Sequence, residues 1–126
     1  SPDLSHQQLD DIIDYCLRSG IDGIVAGNTT RSRDGITSIS KEKIEAIGNG
    51  GMSGAPLYSK NLELVKYVHA KSEGKLPIIG VGGIMSPEQA KEMMDAGASL
   101  VEIYSGFIYE GPALIKNINK HLENTL

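Results

Sequence analysis

Pro77-Ile-Ile-Gly-Val-Gly-Gly-Ile-Met-Ser-Pro87 and Leu100-Val-Glu-Ile-Tyr-Ser-Gly-Phe107 decide the reading of this chain. Each is an apolar run that ends abruptly in residues with little or no side chain. A short predicted helix over 86–96 separates them. Backbone bared at the C-terminal ends of two consecutive parallel strands lets main-chain N–H groups approach a phosphate. In (βα)8 barrels a phosphate site often forms from the loops after the last two strands. The pair therefore points to a phosphate-bearing cofactor or substrate, and to the closing end of a barrel. Tight left-handed turns leaving each strand are the plainer alternative.

Working outward, the first helix is well marked. Ser5 and Gln8 have capping-box spacing, with Leu4 and Leu9 placed as a hydrophobic staple. Leu9, Ile12, Ile13, Cys16 and Leu17 form a one-sided stripe, and Gly20 sits where a helix-ending residue belongs. Residues 21–26 read as a buried strand running into Gly27. Residues 31–58 are irregular, with a turn or two of helix over 40–47 and Ile44 and Ile47 inward. A helix over 59–72 buries Leu62, Val65 and Val68. Ser86 with Gln89, and Pro87 at the first helical position, start the helix that ends at Gly97. The strand over 100–104 follows. A last helix from near Pro112 turns Ile115, Ile118 and Leu122 inward. The order α-β-α-β-α-β-α, with unalternating apolar strands, predicts a parallel sheet covered by helices.

With 126 residues the chain holds one domain at most. A complete (βα)8 barrel needs about 250. The expectation is thus the C-terminal half of a TIM barrel, with residues 1–126 a single portion of that domain. The opening on a helix instead of a strand fits a piece of something larger. A net charge of −4 without a basic cluster argues against nucleic acid. No apolar run reaches the roughly 18 residues of a membrane span. No signal-peptide pattern is visible, and a cytoplasmic location is expected. The single cysteine, Cys16, excludes an internal disulfide and lies on a helix stripe, where packing is its expected role. His6, His69 and His121 show no ligand spacing, and no metal site is expected.

Three stretches can carry chemistry. Asn28-Thr-Thr30 follows a strand directly, where side chains reach a barrel mouth. An Asn amide that both donates and accepts suits a planar heterocycle, although Asn and Thr also simply cap segments. Gly50-Gly-Met-Ser-Gly54 either wraps a phosphate or flat ring, or is a surface loop. The Gly82–Gly83 pair and Tyr104-Ser-Gly106 are stronger because they occur together, and Ser105 can donate to a phosphate oxygen.

Taken together, Ser1-Pro-Asp-Leu-Ser5, Asn28-Thr-Thr30, Gly50-Gly-Met-Ser-Gly-Ala-Pro56, the stretch 76–84, Ala96-Gly-Ala-Ser-Leu-Val101 and Ile103-Tyr-Ser-Gly-Phe107 resemble dihydroorotate dehydrogenase. Gly111-Pro112 extends the match, which covers essentially the whole chain in order. The G-G-M-S-G form and the Ser-Gly after Tyr104 favour the quinone-dependent, membrane-associated class 2. The resemblance implies an FMN-dependent barrel that oxidises dihydroorotate to orotate in pyrimidine synthesis. A base removes the C5 proton, a hydride passes to the flavin, and a quinone reoxidises it. Carried over by position, Asn28 and Thr29 contact the substrate. Gly54, Gly83, Tyr104 and Ser105 hold FMN, the last three around its phosphate. At Gly27, where the family often carries Thr, only backbone can serve FMN.

The family's catalytic serine, its flavin-contacting lysine and its quinone-reaching helices fall outside these residues. The resemblance thus implies a segment without a catalytic residue, inactive alone, which self-associates through open barrel edges. It also implies a complete enzyme peripheral on the cytoplasmic face of the inner membrane. Another phosphate-binding barrel, similar to inosine-monophosphate dehydrogenase, and a non-catalytic half-barrel are the alternatives.

Overall fold

A computed structural model describes residues 1–125. Helix α1 (His6–Ser19) starts at the capping box: Ser5 Oγ accepts from the Gln8 N–H, and Gln8 Oε1 from the Ser5 N–H. It stops at Gly20, whose φ of +71° is left-handed. Leu9, Ile13 and Cys16 face the core. Cys16 therefore packs, as its place on the stripe predicts.

Three strands follow, β1 (Ile24–Ala26), β2 (Ile78–Val81) and β3 (Leu100–Glu102), all parallel and in spatial order β1-β2-β3. Helices α3 (Tyr58–Lys71) and α4 (Pro87–Asp95) connect them on one face, and α6 (Ala113–Thr125) packs on α4. Between these layers lie Ile13, Val65, Val68, Ile78, Ile84 and Met93, each at most 2% exposed. Val25, Ile79 and Leu100 share a register row on the opposite face. Neighbouring strands in chain order, with every crossover on one side, describe an arc of barrel wall and not a doubly wound sheet, which carries helices on both sides.

The structure corrects several details. The strands are shorter than expected. Ile21 is exposed ahead of β1, and β3 stops at Glu102 instead of residue 104. They are also not buried on both faces: Val25 is 51% and Leu100 61% exposed. Three strands cannot close, so their inward row stays open. Helix α2 (Lys41–Ile47) forms from its Ser40 cap, yet Ile47 is exposed and Ile44 only half-buried. In α6, Leu114 and Ile118 are buried while Ile115 is exposed. An unanticipated helix, α5 (Ser105–Glu110), begins where the last strand was expected to fade. Gly111, with φ +69° and ψ −168°, ends it, its N–H donating to the Phe107 carbonyl. The second capping box is also offset: Ser86 Oγ accepts from Gln89 N–H, but Gln89 Oε1 accepts from Met85 N–H.

Candidate functional site

The C-terminal ends of the three strands open onto one cleft of about 500 Å³. Gly27, Asn28, Thr29, Gly54, Gly83, Tyr104 and Ser105 all line it. The sequence places these residues in four separate stretches, and the sheet register brings them together. Ala26, Gly80 and Val101 lie abreast across the sheet, so the segments after them emerge side by side.

On one side stand Asn28 and Thr29, both exposed. Asn28 Oδ1 accepts from the Thr29 N–H at 2.8 Å, which fixes the carboxamide's orientation. Thr30 turns the other way and is buried. It exchanges backbone hydrogen bonds with Met52, N to O at 3.1 and 2.8 Å. That single bridge draws the glycine-rich loop to the end of β1. Gly51 must lack a side chain there, because a Cβ would stand 2.0 Å from Thr29 Oγ1. Arg33 donates to the Gly50 and Thr30 carbonyls, tying the long loop to the same corner.

Asp3 completes this clamp. Its carboxylate accepts from Thr30 Oγ1 at 2.5 Å and from the Arg31 N–H at 2.8 Å. The Thr30 hydroxyl first, then the Arg31 amide, hold the Asp3 carboxyl below the usual carboxylate range. A carboxyl lowered by folding stabilises the fold above its unfolded pKa of about 3.9, and this contribution fades as pH falls through the lower folded value. Thermal melts should therefore show Asp3→Asn less stable than the parent at neutral pH. The gap should shrink as pH falls below the ordinary carboxylate range and through the lowered folded value; a gap constant with pH would contradict the clamp.

On the other side lie the two bared strand ends. Gly82 and Gly83 have φ of +109° and +80°, backbone that other residues rarely adopt. A Cβ on Gly83 would stand 2.4 Å from the Tyr58 nitrogen. The start of α3 thus packs against the bare turn. Tyr58 is locked in turn, its hydroxyl donating its one proton to the Glu92 carboxylate at 2.6 Å, with the Gln89 carbonyl oxygen 3.1 Å away. Burial, then the Glu92 carboxylate, push the Tyr58 hydroxyl well above its ordinary pKa. Gly54, with φ +86°, faces Ser105, and Ser105 Oγ donates to Ser53 Oγ at 3.2 Å. Tyr104 is exposed at the rim. Gly27 stands at φ +139°, and a Cβ would fall 2.0 Å from the Val81 carbonyl oxygen. Only its backbone faces the cleft.

Sequence reasoning missed Ser53, whose hydroxyl meets Ser105, and Glu102, which brings a carboxylate to the cleft wall. Glu102 reads as one member of an apolar strand, and only the register shows which face it takes. The sequence also gives no sign that Asn61 is wholly buried beside Gly82. Among the described residues, no group of acidic, histidine or cysteine side chains has metal-binding geometry, and no helix is long and apolar enough to cross a membrane.

Comparison with known proteins gives a consistent result. The family model for dihydroorotate dehydrogenase matches residues 1–126. A dihydroorotate dehydrogenase (quinone) of Christiangramia forsetii is 48% identical over 122 residues, covering 97% of this chain and 34% of that protein. One from Edwardsiella ictaluri is also 48% identical, over 97% of this chain and 35% of its own length. The crystal structure of the Eimeria tenella enzyme in complex with ferulenol superposes with a TM-score of 0.88 at 35% identity. It covers 99% of this chain and 32% of that one. The chain thus spans about a third of the length of the curated relatives it matches.

Proposed function

Because this chain belongs to the dihydroorotate dehydrogenase family, we propose that it forms the flavin-phosphate and substrate wall of a quinone-dependent enzyme that oxidises dihydroorotate to orotate. The observation that carries this reading is the single cleft with two unlike sides. One side offers the amide and hydroxyl of Asn28 and Thr29. The other offers bare glycine backbone with the Ser53 and Ser105 hydroxyls.

The cradle fits FMN. The Gly82–Gly83 turn has no room for side chains on its core side, so its backbone is held against α3 and its cleft side is bare. Gly83, Tyr104 and Ser105 would hold the phosphate, Gly54 would lie against the cofactor, and Gly27 would offer backbone alone. When bound, FMN supplies a two-electron acceptor for the substrate's hydride. Asn28 and Thr29 would orient the dihydropyrimidine ring, the amide pairing with a ring carbonyl or N–H. We assign no residue of this segment to removal of the C5 proton. The inosine-monophosphate-dehydrogenase-like alternative loses its nucleophile, because Cys16 is buried in α1 and does not line the cleft.

Two substitutions in the complete gene product separate the sides of the cleft. Asn28→Ala should lower kcat/KM for dihydroorotate by roughly 10–100-fold, the loss of one or two substrate hydrogen bonds, with flavin content unchanged. Ser105→Ala should weaken FMN retention and leave kcat at saturating flavin within about threefold, as expected for a group acting on cofactor binding alone. The opposite pattern would reverse the assignment. Produced by itself, the 1–126 segment should not oxidise dihydroorotate. It should also self-associate through the open row of Val25 and Leu100. Turnover by the segment, or a monodisperse monomer in light scattering, would contradict these expectations.

A further inference from the structure

Asn61 is the one residue of the core whose chemistry is unaccounted for. It lies on α3, fully buried, and neither its Nδ2 nor its Oδ1 has a hydrogen-bond partner among the described residues. Buried carboxamides are almost always paired, and leaving one unpaired is costly. A leucine would fill about the same space without a polar group, so the buried carboxamide calls for a polar partner. Its position says which. A Cβ on Gly82 would stand 2.2 Å from Asn61 Nδ2, so the amide lies directly against the Gly82 main chain. Asn61 does not line the cleft whereas Gly82 and Gly83 do, so it touches this turn from the core side.

We infer that Asn61 is the positioning residue of the Gly82–Gly83 turn, holding its peptide groups so that main-chain N–H groups face a phosphate in the cleft. This rests on the flavin-phosphate reading above. Two successive glycines with positive φ have no side chain of their own to set the intervening peptide plane, so its orientation depends on what packs behind it. A carboxamide with a free donor and a free acceptor behind that plane can fix it through one ordered water. The phosphate is then met by donors already in place, which is how preorganisation raises affinity.

The test compares FMN with riboflavin, which lacks the phosphate, on the apo form of the complete gene product, with flavin fluorescence quenching as the readout. Asn61→Leu and Asn61→Ala both remove the carboxamide, one keeping the volume and the other reducing it. In each, FMN affinity should fall roughly tenfold while riboflavin affinity stays within about twofold, the signature of a lost phosphate-side interaction. Should the leucine variant fail to fold, the alanine variant decides. Equal losses for both ligands, or no loss for either, would overturn the inference. Wild-type protein that binds FMN no better than riboflavin would instead overturn the phosphate reading beneath it.

Discussion

Replacing Gly83 with alanine should weaken the proposed flavin binding and lower the protein's stability together. At φ +80° the backbone costs an L-residue about 1–2 kcal/mol before any contact is considered. The added Cβ would also meet the Tyr58 nitrogen at 2.4 Å and its Cα at 2.7 Å. Those are main-chain atoms at the start of α3, so no rotamer change relieves them. Either α3 retreats or the turn swings into the cleft, onto the proposed phosphate position. The combined destabilisation should be about 2–4 kcal/mol, in the upper range for single substitutions. FMN affinity should fall more than about 100-fold, the equivalent of two good hydrogen bonds. Gly20 supplies the control. It is left-handed with φ +71° and ψ +28°, and nothing lies near its Cβ position. Gly20→Ala should therefore cost about 1 kcal/mol and leave flavin binding intact. Equal effects from the two substitutions, by denaturant melts and flavin titration, would show that backbone strain alone matters and the close approach does not.

The second large effect lies in the sheet. Ile78 is fully buried at the start of the central strand, paired with Ile24 and covered by the helices. Ile78→Ala removes three carbons from a packed site and should cost about 2–5 kcal/mol. Against a total stability of about 5–15 kcal/mol, that is enough to unfold much of a marginal protein. Leu100 makes the contrast. It is 61% exposed on the open face of the arc. Leu100→Ala should cost little in the isolated segment, but about 2 kcal/mol or more in a closed barrel, where the same row becomes interior. A Leu100→Ala cost that is the same in segment and complete gene product would contradict the barrel-arc reading.

How much of this was legible in the sequence follows from how local each signal is. The caps Ser5, Gly20 and Ser86 are legible because each acts within one helical turn of itself; Ser40, which the sequence places inside its short helix, caps it instead. The parallel order of the strands was also legible, because apolar runs alternate with amphipathic stripes. Their burial was misjudged. Whether Val25 or Leu100 is covered depends on strands outside this sheet, and no local pattern carries that. Helix α5 was missed because Ser105 and Gly106 resemble a turn. Gly106 is tolerated there because its bare Cα packs against the Ile84 carbonyl, where a Cβ would stand at 2.2 Å. All seven candidate site residues line one cleft. Glu102 and Asn61 are not legible in the sequence, and neither is the meeting of Ser53, within the glycine-rich stretch, with Ser105, because each depends on a neighbour far along the chain.

The central claim is that the two sides of this cleft hold a flavin and dihydroorotate together. The most direct measurement is an anaerobic titration of the complete gene product with dihydroorotate, following the visible flavin band. The protein should carry FMN, whose band bleaches with one equivalent of dihydroorotate and returns when a quinone is added. A protein that carries no flavin, or one whose flavin stays oxidised in excess dihydroorotate, would contradict it.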